Sequence, residues 1–479
     1  MSFLSIEFTV FWLCFLVLYW SMGQFPRHQN KLLLMTSLAL LYQINGFFMA
    51  AVVGFAALIF LIARKIVKHS HTQYKKRWLR VGIFISLINL AFFKYFDFFS
   101  ADVKTWIQSD LMDIIMPLGI SYYTFQAVAY LVSLYKQEHH LRLSFPNLLL
   151  HLSFFPTITS GPIIRAGEQK SILGAQTGIS AQLNSHQARY MVRPALAISL
   201  ILLGVVKKWW LVSALADNWV NPVFENPLQY DGLSVLAAIY GYTFQLFLDF
   251  SGYTDLVVGL AMLLGFQLPQ NFAMPLIAHN LRDFWERWHM TLSAWIRDYV
   301  YIPLGGSRAG FTRTQINVLL AMTLSGIWHG YGWNFLLWGL LHGVGLVLLN
   351  VADRKFGREA VLRRITFGKL FGILTTLSFV SATFVVFRTQ SLEEVRLMFV
   401  ALFGGGQGWG VPDLSVVLLL TIFVLTLCTY RLLVWGFNWA VGALERLPVY
   451  LWFMPISLVL LFLLIVAPSG IPGFIYAHF

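Results

Sequence analysis

From Thr314 to Ala352 the chain runs 39 residues without an Asp, Glu, Lys or Arg. A stretch of that length and apolarity is long enough to enter a bilayer. One ionisable side chain near its middle, His329, sits between Trp328 and Gly330. An ionisable group in such surroundings is costly to keep, which marks it for function unless a helix neighbour satisfies it. Composition agrees with a membrane setting along the whole chain. Hydrophobic residues are 58% of 479 and charged residues only 11%, where soluble chains average about 25% charged. The formal charge of +13 need not imply nucleic acid, because membrane proteins collect Lys and Arg in cytoplasmic loops. The two cysteines offer neither a metal spacing nor a disulfide framework.

The pattern predicts an all-α integral membrane protein, residues 1–479 forming a single multi-span domain. About ten to twelve transmembrane helices are expected, plus one or two re-entrant pieces. The N-terminal stretch lacks a basic leader and a small-residue cleavage site, so it reads as a retained first helix. The densest basic cluster, residues 64–80, and a second at 353–364 are expected in the cytoplasm, which puts the N-terminus outside. Residues 145–169 are apolar but broken by Pro156, Gly161 and Pro162. They read as a re-entrant hairpin with Arg165 at its polar end. Lys207 to Trp210 read as an interface anchor between spans at 189–206 and 233–265. Asp249 and Asp255, inside the second of these, read as pins for neighbouring helices. Gly404 to Gly410 is too irregular for a phosphate-binding loop.

Residues 282–301, placed on one helix, put Arg282, Glu286, His289, Ser293 and Arg297 on a polar stripe. Trp285, Trp288, Leu292, Trp295 and Tyr299 line an apolar stripe beside it. Arg282/Glu286 and Asp283/Arg287 are charge pairs at helical spacing. An interfacial anchor would look the same; His289 in the stripe and His329 nearby favour chemistry instead. An imidazole titrates near neutrality and can take a proton from a hydroxyl attacking a carbonyl. No nucleophile elbow, Walker motif, dinucleotide fingerprint or H-E-x-x-H motif is present. Histidine-aided acyl transfer from an activated thioester needs none of them. Trp328 and Trp333 would wall the site against water, and a desolvated imidazole stays neutral. Broken helices and buried carboxylates also suit a proton-coupled transporter, but no inverted pair of interrupted helices is visible.

Five segments carry a family resemblance: PLGISYYTFQAVAYLVSLY (117–135), FFPTITSGPIIRAGE (154–168), YTFQLFLDFSGYTDLVVGL (242–260), RDFWERWHMTLSAWIRDYVYIPLGGSR (282–308) and SGIWHGYGWNFLLWGLLHG (325–343). Together with the FIY ending, they resemble the membrane-bound O-acyltransferases, in their bacterial envelope-polysaccharide branch. The resemblance implies helices around a thin, funnelled core, with His329 of the WHG motif catalytic and His289 of the RWH motif beside it. Trp288, Arg297, Trp328, Asn334 and Arg165 would line the tunnel or vestibule. It implies an acyl thioester donor (acetyl-CoA or an acyl carrier protein) with no tightly bound cofactor or metal. It also implies a periplasmic esterase-like partner, a place in the bacterial cytoplasmic membrane among its lipids, and a cell-envelope glycan such as peptidoglycan as acceptor. D-alanyl transfer from a carrier protein toward teichoic acid is the alternative.

The charge pattern makes a topological prediction. With Cys14 and Cys428 replaced by Ser, a Thr72→Cys thiol should resist an impermeant reagent added to intact cells. Ready labelling would reverse the orientation.

Overall fold

The computed structural model describes residues 4–69, 71–107, 116–136, 141–175, 178–330, 332–357, 366–409 and 413–468. Among these the architecture is helical throughout, and the one extended pairing is an isolated bridge between Ser171 and Pro269. Among the described residues eight helices are long and apolar enough to cross a membrane, and a shorter apolar helix, Ile6–Ser21, precedes them. The chain is therefore an all-α, multi-pass membrane protein. Contacts group it into two compact units, residues 1–197 with 257–270, and residues 198–256 with 271–479.

In the first unit the helices Pro26–Ile44 and Gly46–Lys68 are separated by Asn45 alone. Its side chain accepts from the Phe47 N–H at 2.9 Å and caps the second helix. The basic cluster 64–80 is not a loop. Helix Gly46–Lys68 carries its first residues and helix Thr72–Ile107 its last. The broken segment behaves as its prolines and glycine dictate. A nine-residue helix, Phe145–Ser153, gives way to turns, and nearly every residue from 148 to 164 is buried. Gly119 meets this segment closely. It sits at φ +76°, and a β-carbon there would strike the carbonyl oxygen of Ile158. Arg165 belongs to this unit, its N–H donating to the Gln169 side chain at 2.6 Å.

The second unit corrects one expectation and bears out another. Lys207 to Trp210 do not end a span at an interface. The helix Pro194–Val205 continues through two π-helical stretches, Val206–Val212 and Ala216–Val220, to Glu225. The lysines fall inside it and turn inward, Lys207 to Asp255 at 2.6 Å and Lys208 to Asp249. The aspartates of helix Gly232–Leu263 are thus pins, as their spacing suggested. Taking one member of such a buried pair away leaves an uncompensated charge, which costs about 3–5 kcal/mol. Gly204 and Gly252 let the two helices come close enough for the pairs to form. A β-carbon on Gly204 would lie 2.6 Å from the Gly252 carbonyl oxygen.

The charge-free run folds into a hairpin of helices Phe311–His329 and Trp333–Phe356. The two backbones touch at Gly326 and Gly339. A β-carbon on Gly326 would lie 2.9 Å from the Gly339 α-carbon, and one on Gly339 would lie 2.6 Å from the Met322 carbonyl oxygen. Small residues permit this approach where no hydrophobic force drives apolar helices together in lipid. Gly326→Ala or Gly339→Ala should therefore force the hairpin apart and lower stability by about 1–3 kcal/mol. Thermal unfolding in detergent checks this; unchanged melting of both variants would contradict it.

Candidate functional site

Residues 282–301 do not form the single polar-striped helix that their spacing suggested. A helix Leu281–Arg287 ends at Trp288, a second runs Met290–Ile296, and a π turn covers Arg297–Tyr301. His289 stands at the break with φ +43°, a left-handed conformation uncommon for residues other than glycine and costly without support from its surroundings. Asn271 supplies part of the constraint. Its side-chain oxygen accepts from the Thr291 N–H at 3.3 Å and the Thr291 hydroxyl at 2.9 Å. Its backbone carbonyl accepts from the Met290 N–H at 2.9 Å. The Thr291 N–H can only donate, so the amide atom facing it is the oxygen. The His289 Nδ1, 3.1 Å from that same oxygen, must then carry the proton. Nε2 is left as the basic nitrogen, with no hydrogen-bond partner among the described residues.

The charge pairs along this segment are half as expected. Arg287 meets Asp283 at 2.6 Å. Arg282 reaches across to Asp353 at 2.9 Å and Asn350 at 2.7 Å rather than to Glu286. The apolar side is not an interfacial surface. Leu281, Phe284, Trp288, Leu292 and Trp295 are all buried. Trp288 stacks on Phe284 at 5.5 Å and meets Phe272 and Phe384 edge-on or tilted. It is a packing residue of the aromatic core and does not line the cavity below.

His329 ends the first hairpin helix and is 2% exposed. Its ring lies against three others: Trp328 at 4.6 Å, Trp338 at 5.1 Å and Phe387 at 5.2 Å, the last two edge-on. Trp328 also faces His289, ring centres 6.3 Å apart, so one indole separates the two imidazoles. Phe250 closes the other side of His289 at 4.7 Å. Asn334, the second residue of the return helix, donates to the Phe387 carbonyl at 3.2 Å and so holds the ring that touches His329. His342 extends the row, 4.8 Å from Trp338. The Thr383 hydroxyl donates to the Val380 carbonyl at 2.8 Å, so its oxygen accepts from His342 Nε2 at 2.9 Å. That contact anchors His342 through Nε2, while its Nδ1 is buried with no hydrogen-bond partner among the described residues.

A cavity of about 760 Å³ opens beside this row. Trp285, Ser293, Arg297 and Ser325 are among its walls, with Arg282, Asp353 and Arg354. Ser293 and Ser325 each lie four residues, one helical turn, from His289 and His329. The cavity thus comes within a turn of both histidines; Arg282 and Arg297 on its wall are paired with Asp353 and Asp298, and Arg354 leaves it with a net positive lining. Of the vestibule residues expected from sequence, the cavity takes Arg297, while Trp328 and Asn334 shape the histidine surroundings. Arg165 lies in the first unit. Asn271 was not foreseen. No spacing marks it, and only the need of a buried His289 for a partner hinted at such a residue.

Comparisons with known proteins place the chain in a family. Residues 122–358 match the model of the membrane-bound O-acyltransferase family. The chain is 31% identical over 394 residues to a peptidoglycan O-acetyltransferase of Helicobacter pylori, covering 75% of this chain and 71% of that one. It is 31% identical over 412 residues to a probable alginate O-acetylase of Pseudomonas aeruginosa, covering 84% and 74%. A teichoic acid D-alanyltransferase of Streptococcus thermophilus is 29% identical over 289 residues, 56% of this chain and 68% of that one.

His289→Ala should cut turnover by about 10²-fold, the low end of general acid–base contributions, and Ser293→Ala by much less. Wild-type turnover in His289→Ala would return His289 to a purely structural role. An aromatic-walled histidine pair above a basic cavity, in a chain so related, sets the transporter reading aside: the protein belongs to the membrane-bound O-acyltransferase family and is an O-acyltransferase.

Proposed function

We propose that the protein moves an acetyl group from a cytoplasmic thioester across the membrane toward a cell-envelope glycan, peptidoglycan or a related polymer, with His329 as the catalytic residue. One observation carries the reading. The cavity runs from Asp353 and Arg354 at one end of the hairpin to Ser325, one turn short of His329. Its size is that of ordinary ligand pockets. Its arginines suit the phosphates of coenzyme A or of a carrier's prosthetic arm. With Arg354 toward the cytoplasm and the N-terminus toward the periplasm, the thioester carbonyl would arrive at His329 from below.

The chemistry follows from the surroundings. The acceptor oxygen attacks the thioester carbonyl while the His329 imidazole takes the hydroxyl proton. The tetrahedral intermediate then collapses, the carbon–sulfur bond breaks, and the thiolate leaves with that proton. Transient acylation of His329 itself would split the same transfer into two steps. In either route, rings on three sides keep water from the thioester. A left-handed His289, its Nδ1 proton fixed by Asn271, presents a lone pair near the same indole. A periplasmic esterase-like partner completes delivery to the polymer.

The relatives named for peptidoglycan and alginate O-acetylation match more of the chain than the D-alanyl one, which favours acetyl over D-alanyl. Purified protein should consume labelled acetyl-CoA in preference to a D-alanyl carrier. His329→Ala and His329→Gln should abolish that turnover with expression and insertion near normal, and His342→Ala should be milder. Wild-type turnover by His329→Ala would overturn the assignment; preference for the D-alanyl carrier would replace the acetyl donor.

A further inference from the structure

Two basic side chains of the first unit, Arg27 and Lys31, carry no counter-charge. They lie one turn apart in the helix Pro26–Ile44. Among the described residues neither meets a carboxylate. Arg27 instead holds His186, a terminal nitrogen donating to the imidazole Nε2 at 2.9 Å. An arginine can only donate, so the His186 proton sits on Nδ1, a further donor beside the two cations. The three side chains line one pocket of about 380 Å³, and no Asp or Glu is among its lining residues. Three segments meet there: the helix Pro26–Ile44, the start of the broken segment at Ser144, Pro146 and Asn147, and the turn that bears His186. Amide side chains already join the walls. Asn30 donates to the Leu183 carbonyl at 2.9 Å, and Asn147 to the Asn184 side-chain oxygen at 3.1 Å. The amides are spent on the walls and the cations are not. The helices Pro26–Ile44 and Phe145–Ser153 both begin at this pocket, and their dipoles add to its preference for an anion.

The rest of the helix says what kind of anion this is. The helix opens PRHQNK and continues LLLMTSLALLYQI, so its polarity changes between Lys31 and Leu32. In a membrane protein such a change marks headgroup depth. Leu33, Ser37 and Leu41 are buried, while Lys31, Met35 and Tyr42 are exposed at helical spacing on another side. Leu34, at the change of polarity, is itself a wall of the pocket. A ligand held there is anionic at one end and meets apolar surface at the other. We propose that Arg27, Lys31 and His186 bind the phosphate of an anionic phospholipid, whose fatty chain lies along Met35 and Tyr42. The arginine fork matches two phosphate oxygens, and the lysine adds a point charge. Because each of the three segments contributes a wall, the headgroup ties them together. No step of acyl transfer depends on this site.

The test counts lipids on the purified, delipidated full-length protein by native mass spectrometry. The probes are phosphatidylglycerol and phosphatidylcholine with identical fatty chains, titrated separately in detergent. Wild-type protein should bind its first phosphatidylglycerol about tenfold or more tightly than phosphatidylcholine, the size expected of two cations beside an anionic headgroup. Arg27→Gln with Lys31→Gln should bring the ratio of the two dissociation constants near one; both side chains are exposed, so the fold should survive. Arg27→Lys with Lys31→Arg, which keeps both charges, should keep most of the preference. Lys76→Gln with Arg77→Gln, in a basic groove elsewhere on the first unit, should leave it unchanged. A wild-type ratio of one, or the full ratio surviving when Arg27 and Lys31 are both Gln, would overturn the assignment. So would displacement of the lipid by inorganic phosphate, which would make this a site for a soluble phosphate. Displacement by a Glu-rich peptide would likewise overturn it and give the pocket to a protein partner.

Discussion

The constraint on which the rest of the second unit depends is the placing of a histidine where water does not reach. An imidazole at 2% exposure cannot be oriented by solvent, so neighbours must do it. Here rings do most of that work. Trp328, Trp338 and Phe387 confine His329, and Asn334 holds Phe387 by its backbone. Each aromatic contact adds roughly 0.5–1.5 kcal/mol beyond area burial, so the arrangement is stiff as well as dry. The Gly326–Gly339 crossing then fixes where the helix carrying His329 ends. Without it the hairpin could not bring Trp338 and His329 together.

The ionic features of the fold serve the same placement. Lys208–Asp249 and Lys207–Asp255 set the helix Gly232–Leu263 against its neighbour. That helix carries Phe250, one residue beyond Asp249, and Phe250 faces His289. Buried ion pairs are poor sources of net stability but good determinants of register. A helix otherwise coated in interchangeable apolar side chains gains from a contact that only one rotation satisfies. The strained backbone of His289 belongs to the same account. Strain of that kind costs about 1–3 kcal/mol and persists only where surrounding contacts over-determine it, as Asn271 does here.

Much of this was legible in the residues. The absence of charge between Thr314 and Ala352, with His329 of the WHG motif inside, marked both the hairpin and its reactive group. Pro156 and Gly161 announced broken backbone, and the intramembrane aspartates announced partners. What was not legible came from spacing that tolerates two structures. The stripe Arg282–Arg297 fits one continuous helix, yet the chain breaks at His289, where Asn271, outside the stripe, takes the His289 ring and the backbone N–H groups of Met290 and Thr291. The pair Lys207–Lys208 beside two tryptophans has the composition of an interface anchor. Only the π-helical turns, which no composition signals, rotate both lysines inward. Trp288 packs as its place on the apolar stripe suggested, and not in the tunnel that the resemblance implied, since an aromatic at helical spacing can do either.

The central claim is that His329 joins a donor side to an acceptor side within one membrane protein. Sealed proteoliposomes of uniform orientation, loaded inside with the acceptor glycan and partner protein, test it most directly. Labelled acetyl-CoA is added only outside, at the face bearing Arg354. The account predicts labelled acetyl groups on the enclosed polymer, with coenzyme A remaining outside and no label transferred by His329→Ala. Label reaching the polymer equally well in His329→Ala vesicles, or only after acetyl-CoA itself is sealed inside with the glycan, would contradict it.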